Sequence, residues 1–511
     1  MTDTEWEVRG RRWWSHVGAL AGNSTEGRET GSSGYQRAAE YVIEQFRAAG
    51  LDPAGSDGFR QWLDLRVSLL DEAGTSLALA FPGGTEPLPL RDAVQVVATG
   101  GTAPETEADL VFVGYGLEVP EHRYSDFEGI DLHGKIAVYF RGGPPELPGA
   151  VKAHYQSPDE RLRALRRAGA VGSMMILNPK VPDLPWPRLA SGLALPRMEL
   201  AERGPDDRRP LSLSTYFNPE RLDLLLRGSG HSAAEIVDRL GGPGPLPRFP
   251  LSGRLRARVA VRRSTVRCSN VVGVLRGGDP ERRDEYVVGS AHLDHLGVGE
   301  TDGGRRIYPG AMDNASGVAT LIEIARAFRE SGRPPRRSIL FVAVTGEEKG
   351  LLGSEYFAQH PTVPGPIVAD LNMDMFLPLY PMRYLEVQGL GESSLGPALR
   401  SMAAEVGVEA QPEYEPDRVL FIRSDQYNFV KIGAPSLMLS IGYEKGSREE
   451  AISHAWFRER YHAPADDLDQ PVDREAAARF TDLLGRFVRR VADEPARPTW
   501  NAESFFRRFA R

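Results

Sequence analysis

The chain has one cysteine, Cys268, in 511 residues, so it forms no internal disulfide, and Cys268 reads as a small buried hydrophobe. It has no apolar run approaching the ~18 residues of a membrane-spanning helix. It has no block of like charge. Its 62 Lys and Arg are interspersed with 70 Asp and Glu, for a formal net charge of −8, and no basic stripe points to nucleic acid. It has no GxSxG elbow, no HExxH helix and no GxxxxGK[ST] loop, which removes three common enzyme classes. The opening residues, MTDTEWEVRGRRWWSHV, lack the apolar core of a secretory signal. The expectation is therefore a cytoplasmic chain as written, with export after loss of a leader as the alternative. No repeat or low-complexity tract appears, and no pattern fixes the oligomeric state.

What is present is an adjacent acidic pair, Glu347 and Glu348, in FVAVTGEEKGLLGS. It closes an apolar run, Ile339 to Val344, that reads as a buried strand. Other ligand-type residues lie in similar settings. His292 and Asp294 follow YVVGSA, Asp313 lies in PGAMDNASG, Asp374 in LNMDMF and His462 in RYHAPADD. Catalytic zinc takes His nitrogen and carboxylate oxygen and keeps a position open for water. Two such ions need a bridging group and a terminal shell on each. His292, Asp313, Glu348, Asp374 and His462 suffice for two Zn2+ ions if one carboxylate bridges. Glu347 is then left over, placed as a general base. Asp294 falls on the same side of an extended segment as His292, where it is placed to orient the imidazole through its other ring nitrogen. His295 reads as structural or as a partner of a ligand. Asp425 reads equally well as a pocket residue or a loop cap. The remaining histidines have no comparable context.

The chain is too long for one ordinary domain. Residues 35–50 read as an amphipathic helix, with Ala39, Val42, Phe46 and Ala49 on one face and Gly50 at its end. From Val67 to Leu251 short apolar strands, such as Leu110–Val113 and Lys135–Phe140, alternate with many Pro and Gly. From Asn270 onward strands (270–275, 286–290, 339–344, 367–373, 436–441) alternate with helices at 315–330 and from Pro471 to about Ala492. This alternation marks an α/β domain whose parallel strands present ligands at their carboxyl ends.

The segments AHLDHLG, YPGAMDNASGVATLIEIA, TGEEKGLLGSEYF, NMDM, SDQYNF and YHAPADDLD, in this order, resemble the M28 family of zinc peptidases. The likeness runs from about Val271 to Val491 and resumes in residues 26–55. It implies a zinc-exopeptidase α/β/α sandwich (phosphorylase/hydrolase-like) with a mixed, mainly parallel sheet. It gives Asp313 the bridging role, followed by a cis peptide to Asn314. It makes Glu347 the general base, Asp294 the partner of His292, and Glu348, Asp374 and His462 the other ligands. DLVFVGYGLEV, GKIAVYFRGG and AGAVGSMMIL resemble a protease-associated (PA) domain. The expected organisation is peptidase domain over 1–66 and 259–495, a β-rich PA-like insert over 67–258 and an extension over 496–511. One departure is visible: Ser424-Asp425-Gln426 stands where the family often has SDH, which bears on the substrate pocket and not on the metals.

The activity implied is that of a zinc-dependent exopeptidase on peptide substrates, an aminopeptidase in most of the family. A carboxypeptidase would use the same metals, with Arg418 and Arg423 as candidates to bind a terminal carboxylate. A lone-zinc glutaminyl cyclase is disfavoured by the two-metal ligand set. A non-catalytic binding protein is disfavoured because no ligand position is lost.

Overall fold

The computed structural model describes residues 2–180, 185–202, 211–301, 304–415 and 420–510. The chain forms two compact units: Met1–Leu63 with Arg267–Glu415 and Leu420–Arg511, and Asp64–Val266. Both junctions fall inside strands, Arg60–Phe81 and Arg248–Leu275, so no loop composition marks them in the sequence.

Among the described residues, the main run of the first unit's sheet has seven strands: β1 Arg248–Leu275 (through its C-terminal residues), β2 Tyr286–His292, β3 Ser338–Val344, β4 Ile367–Asn372, β5 Tyr384–Gln388, β6 Glu409–Pro412 and β7 Ser436–Gly442. Their spatial order is β6-β5-β7-β4-β2-β3-β1. β2 runs parallel to both β3 and β4, and β4 to β7. β1 is antiparallel to β3, and β5 to β7. The sheet is therefore mixed. β2 and β3 are buried at every residue, which is why they read as unbroken apolar runs and not as alternating ones.

Helices cover both faces of this sheet. Alternate residues of β3 point to opposite sides. Phe341 meets Phe46 of helix Ser33–Ala48 and Phe328 of helix Ser316–Ser331, with ring centroids 6.2 and 6.5 Å away. Leu340 and Val342 pack instead with Phe357 and Phe429, from helices Leu352–Gln359 and Gln426–Lys431. A further helix, Asp3–Ala21, opens with a Thr2–Glu5 capping box. Its Trp13 is 1% exposed and donates its indole N–H towards Ser316 O and Thr320 Oγ1, both at 3.2 Å. That helix is not among the elements expected from sequence. It carries three Arg, and its buried stripe of Trp6, Gly10, Trp13, His16, Val17, Leu20 and Ala21 mixes small and polar residues with the large apolar ones.

The chain leaves β2, crosses through helix Ser316–Ser331 and returns as β3 on one side. It then crosses through helix Leu352–Gln359 to β4 on the other side of β2. The winding direction reverses at β2, and such a reversal opens a crevice at the carboxyl ends of the strands.

The second unit has a sheet ordered Val94–Val96, Leu213–Phe217, Gly172–Ile176, Ile136–Phe140, Glu105–Val113 and the first residues of β1. Three successive pairings in it are parallel. Helices Gly149–Gln156 and Pro158–Arg167 connect two of its strands. The β-rich reading of this stretch thus missed a strand–helix–strand crossover. Its core gathers Val111, Val113, Ala137, Tyr139 and Leu165.

Candidate metal centre

Register brings the first residues together. His292 ends β2 level with Val344 of β3, and Ser290 pairs with Asn372 of β4. Two residues further along, His292 therefore faces Asp374, and the chain beyond Val344 supplies Glu347 and Glu348. Asp313 arrives from the turn Ala311–Ala315 at the head of helix Ser316–Ser331, and His462 from the loop after helix Arg448–Glu459. The Asp313–Asn314 peptide is cis.

Asp313 lies between two sets of donors. Its Oδ1 is 3.2 Å from His292 Nε2, which is 3.2 Å from Asp374 Oδ1. Its Oδ2 is 3.2 Å from His462 Nε2, which is 3.3 Å from Glu348 Oε2. These gaps are long for charge-assisted hydrogen bonds, which sit at about 2.7–2.9 Å. Nor can one imidazole N–H point at two carboxylates at once. They do match the separation of two ligands on one tetrahedral zinc, about 3.4 Å for bonds near 2.1 Å. Asp313 Oδ2 is buried and accepts no hydrogen bond, which leaves its lone pair for a cation. The residues present therefore fit two metal ions, one between His292, Asp374 and Asp313, the other between His462, Glu348 and Asp313.

Electrostatics support the same conclusion. Burial works against the charged form of His292, but Asp374 and Glu347 hold its pKa well above the ordinary value. Burial works against His462 too, and Glu348 overrides it in the same direction. Glu348 is disfavoured by burial and yet held well below the carboxylate range by the charge of His462 and by the hydrogen bond from His295. Glu347 is pushed well above that range by burial, with Asp374, Glu348 and Asp425 adding to the push and His292 opposing it. Carboxylates gathered this closely in a poorly solvated site call for positive charge.

The surrounding residues fix the ligands. The sequence reading gave the Asp294 carboxylate to the second nitrogen of His292. In the structure the main-chain oxygen of Asp294 faces His292 Nδ1, at 3.0 Å. The carboxylate instead accepts the backbone N–H groups of Glu347 (3.1 Å) and Glu348 (3.4 Å) and the Thr30 hydroxyl (2.9 Å). Asp294 thus shapes the turn that carries the acidic pair. Asp466, which sequence reasoning passed over, is fully buried and accepts the backbone N–H groups of Met312 (2.9 Å) and Asp313 (3.0 Å). Its signal was its place four residues after His462 in YHAPADD. Asn314 donates to Met373 O (2.8 Å), tying the Asp313 turn to the Asp374 loop.

Arg28, in the N-terminal segment, is wholly buried. It donates to the carbonyls of Leu20, Leu293, Pro309 and Gly310 at 2.7–2.9 Å. Burial pulls its pKa down to about 10 while Asp313, Asp466, Asp294 and Glu348 oppose the fall, so it remains a cation under the acidic centre.

The SDQ departure is a packing feature. Asn372 donates to Ser424 Oγ and Gln426 Oε1, both at 2.8 Å, and Gln426 donates to Phe421 O at 2.8 Å. This segment braces β4 just before Asp374. Asp425 is 0% exposed, and burial pushes its pKa up to about 7, with His292 opposing. Arg418 lies outside the described residues.

Residues 270–488 match the profile of peptidase family M28. Over that stretch, which is less than half of the chain, the sequence is similar to that family. The maize (Zea mays) protein called probable glutamate carboxypeptidase VP8 is 28% identical over 365 residues, covering 66% of this chain and 46% of that protein. This chain thus spans less than half of that relative's length. Two solved structures share the fold. The aminopeptidase from Aneurinibacillus sp. strain AM-1 aligns over 96% of this chain and 95% of its own, with a TM-score of 0.57 and 17% identity. The zinc aminopeptidase BSAP from Bacillus subtilis aligns over 96% of both chains, with a TM-score of 0.50 and 18% identity. The M28 match begins within β1 and ends in helix Arg474–Asp493, so it contains all five candidate metal ligands.

Proposed function

We propose that this chain is a zinc-dependent exopeptidase that removes N-terminal residues from peptides. The observation that carries it is the Asp313 carboxylate shared between two His–carboxylate sets, with Glu347 beside them. His292, Asp374, His462, Glu348 and the shared Asp313 are the residues that would hold the ions. Zinc bound there would supply Lewis-acid chemistry: a water of lowered pKa and a polarised scissile carbonyl. Glu347, whose proton affinity burial raises, takes the proton of the attacking water and returns it to the leaving amine. Asp294 keeps Glu347 and Glu348 aimed through their backbone N–H groups. The unit of residues 64–266 is, on the same proposal, a PA-like domain.

Beyond the ligands, Glu347, Asp294 and Asp425 add buried carboxyl groups. Such groups can accept hydrogen bonds from an ammonium terminus, whereas a carboxylate terminus would add a further acceptor and a like charge. A carboxypeptidase is the second reading, and it rests on Arg423, whose charge acts on Tyr461 next to His462, and on the name of the maize relative. The test is hydrolysis of matched peptides with free or acetylated N-termini, with chelator and with zinc restored. Zinc-dependent cleavage of free N-termini alone is the expected result. Cleavage of acetylated peptides from the C-terminus would move the assignment to a carboxypeptidase. No cleavage by a chain holding two ions would leave a binding protein.

A further inference from the structure

We propose that His295 is a positioning residue that divides the two oxygens of Glu348, holding one by a hydrogen bond so that only the other is offered to metal. The proposal rests on the two-metal reading. His295 is 0% exposed. Its Nδ1 lies 2.7 Å from Glu348 Oε1, while Glu348 Oε2 is the oxygen beside His462 Nε2, at 3.3 Å. A separation of 2.7 Å is a charge-assisted hydrogen bond. It is too short for two donors on one tetrahedral zinc, about 3.4 Å apart. His295 Nδ1 is also 3.7 Å from Asp313 Oδ2, outside hydrogen-bond reach. So although His295, Asp313 and Glu348 gather closely enough to form a ligand triad, the geometry makes His295 a donor to a ligand. Nδ1 is the ring nitrogen that faces Glu348, and Nε2 is buried and unpartnered.

The ring has little freedom to do anything else. Gly310 has φ +60°, and a Cβ there would come within 2.6 Å of the His295 ring. The backbone N–H of His295 donates to Arg28 O at 3.2 Å. The second imidazole of the HLDH segment is thus locked in one orientation, aimed at one oxygen. Its consequence is a Glu348 restrained to one-oxygen ligation, which keeps a coordination position free for water. A carboxylate without that restraint is free to turn both oxygens to the ion.

The experiment compares the full-length chain with His295→Leu and His295→Gln. Ions bound per chain, the affinity of each by chelator competition, the visible spectrum of the cobalt-loaded protein and the Tm of the metal-free protein are all measured. We expect His295→Leu to weaken one of the two sites about 10–100-fold, to change the cobalt spectrum of that site and to leave the other site unaltered. His295→Gln, which keeps an N–H donor, recovers most of the lost affinity. A purely structural role would lower Tm and leave both affinities alone, and that result overturns the proposal. Equal loss in both variants overturns it as well, because it makes His295 a ligand. Should His295→Leu fail to fold, His295→Ala takes its place beside His295→Gln: a site weakened in His295→Ala and recovered in His295→Gln supports the proposal, and equal affinities in the two overturn it. A wild-type chain that binds fewer than two ions defeats the two-metal reading itself. A wild type with two ions and a His295→Leu variant with two equally tight ions defeats only the His295 proposal.

Discussion

The two halves of the centre are held by different means. The His292–Asp374 half rides on neighbouring parallel strands, and its side chains are 1% and 7% exposed. The Glu348–His462 half rides on loops. Its His462 side chain is 24% exposed and its backbone has φ +53°, a conformation that non-glycine residues keep only when their surroundings impose it. One half is placed by sheet register; the other is assembled by hydrogen bonds, from the Glu347 and Glu348 N–H groups to Asp294 and between His295 and Glu348. Register is robust to single changes because a whole ladder sets it. A loop-built half depends on each bond.

The largest effect probes the carboxylate beside the two halves. Glu347→Gln keeps shape and metal but removes the base. Turnover should fall about 10²–10⁴-fold with both ions still bound; measured turnover near wild type would remove Glu347 from the chemistry. Next, Asp466→Asn weakens the bracing of the Asp313 turn. Metal affinity is expected to fall about 10–100-fold, read by chelator competition, and an unchanged affinity would show that the turn holds its shape without it. The comparison itself is sharpened by chelating the wild type stepwise. The ion on the exposed His462 half should leave first. That order is checked by asking which partial state His462→Ala mimics and which His292→Ala mimics; simultaneous loss would mean that the halves are not separable.

A pH experiment on metal-free protein tests the buried acid below the site. The folded-state pKa of Asp425 is raised from 3.8 to about 7. Its contribution is therefore fully present below the unfolded value and is lost as pH rises towards about 7. Asp425→Asn should remove part of this decline, seen as a flatter dependence of Tm on pH between about 4 and 7. An identical slope in both proteins would contradict the shift. The smallest effect is expected for Gln426→Ala. It leaves the Phe421 carbonyl without its side-chain donor and removes an acceptor of Asn372, costing about 1–3 kcal/mol in denaturant unfolding without changing the number of ions bound.

The same division explains what the sequence could show. β2 and β3 are unbroken apolar runs, so their ends, and with them His292 and the Glu347–Glu348 pair, were legible from pattern alone. Helix Ser33–Ala48 was legible because Ala39, Val42 and Phe46 repeat at helical spacing, and all three are fully buried. β5 and β6 were not: β6 is the edge strand and β5 lies next to it, and YLEVQ and EAQP carry little apolar signal. The contacts of Asp294 were misread because the spacing of two from His292 says which side it points to, not which atom reaches the ring. Asp466, Arg28 and His295 act through main-chain groups and single oxygens, and such bonds leave no periodic trace in a sequence.

The measurement that bears most directly on the central claim is the number of zinc ions per chain in the wild type and in Asp313→Ala, by elemental analysis after exhaustive dialysis, with folding followed by circular dichroism. A shared carboxylate predicts two ions in the wild type and the loss of at least one from a folded Asp313→Ala chain. Two ions retained by the folded variant, or a wild type that binds none, would contradict the account.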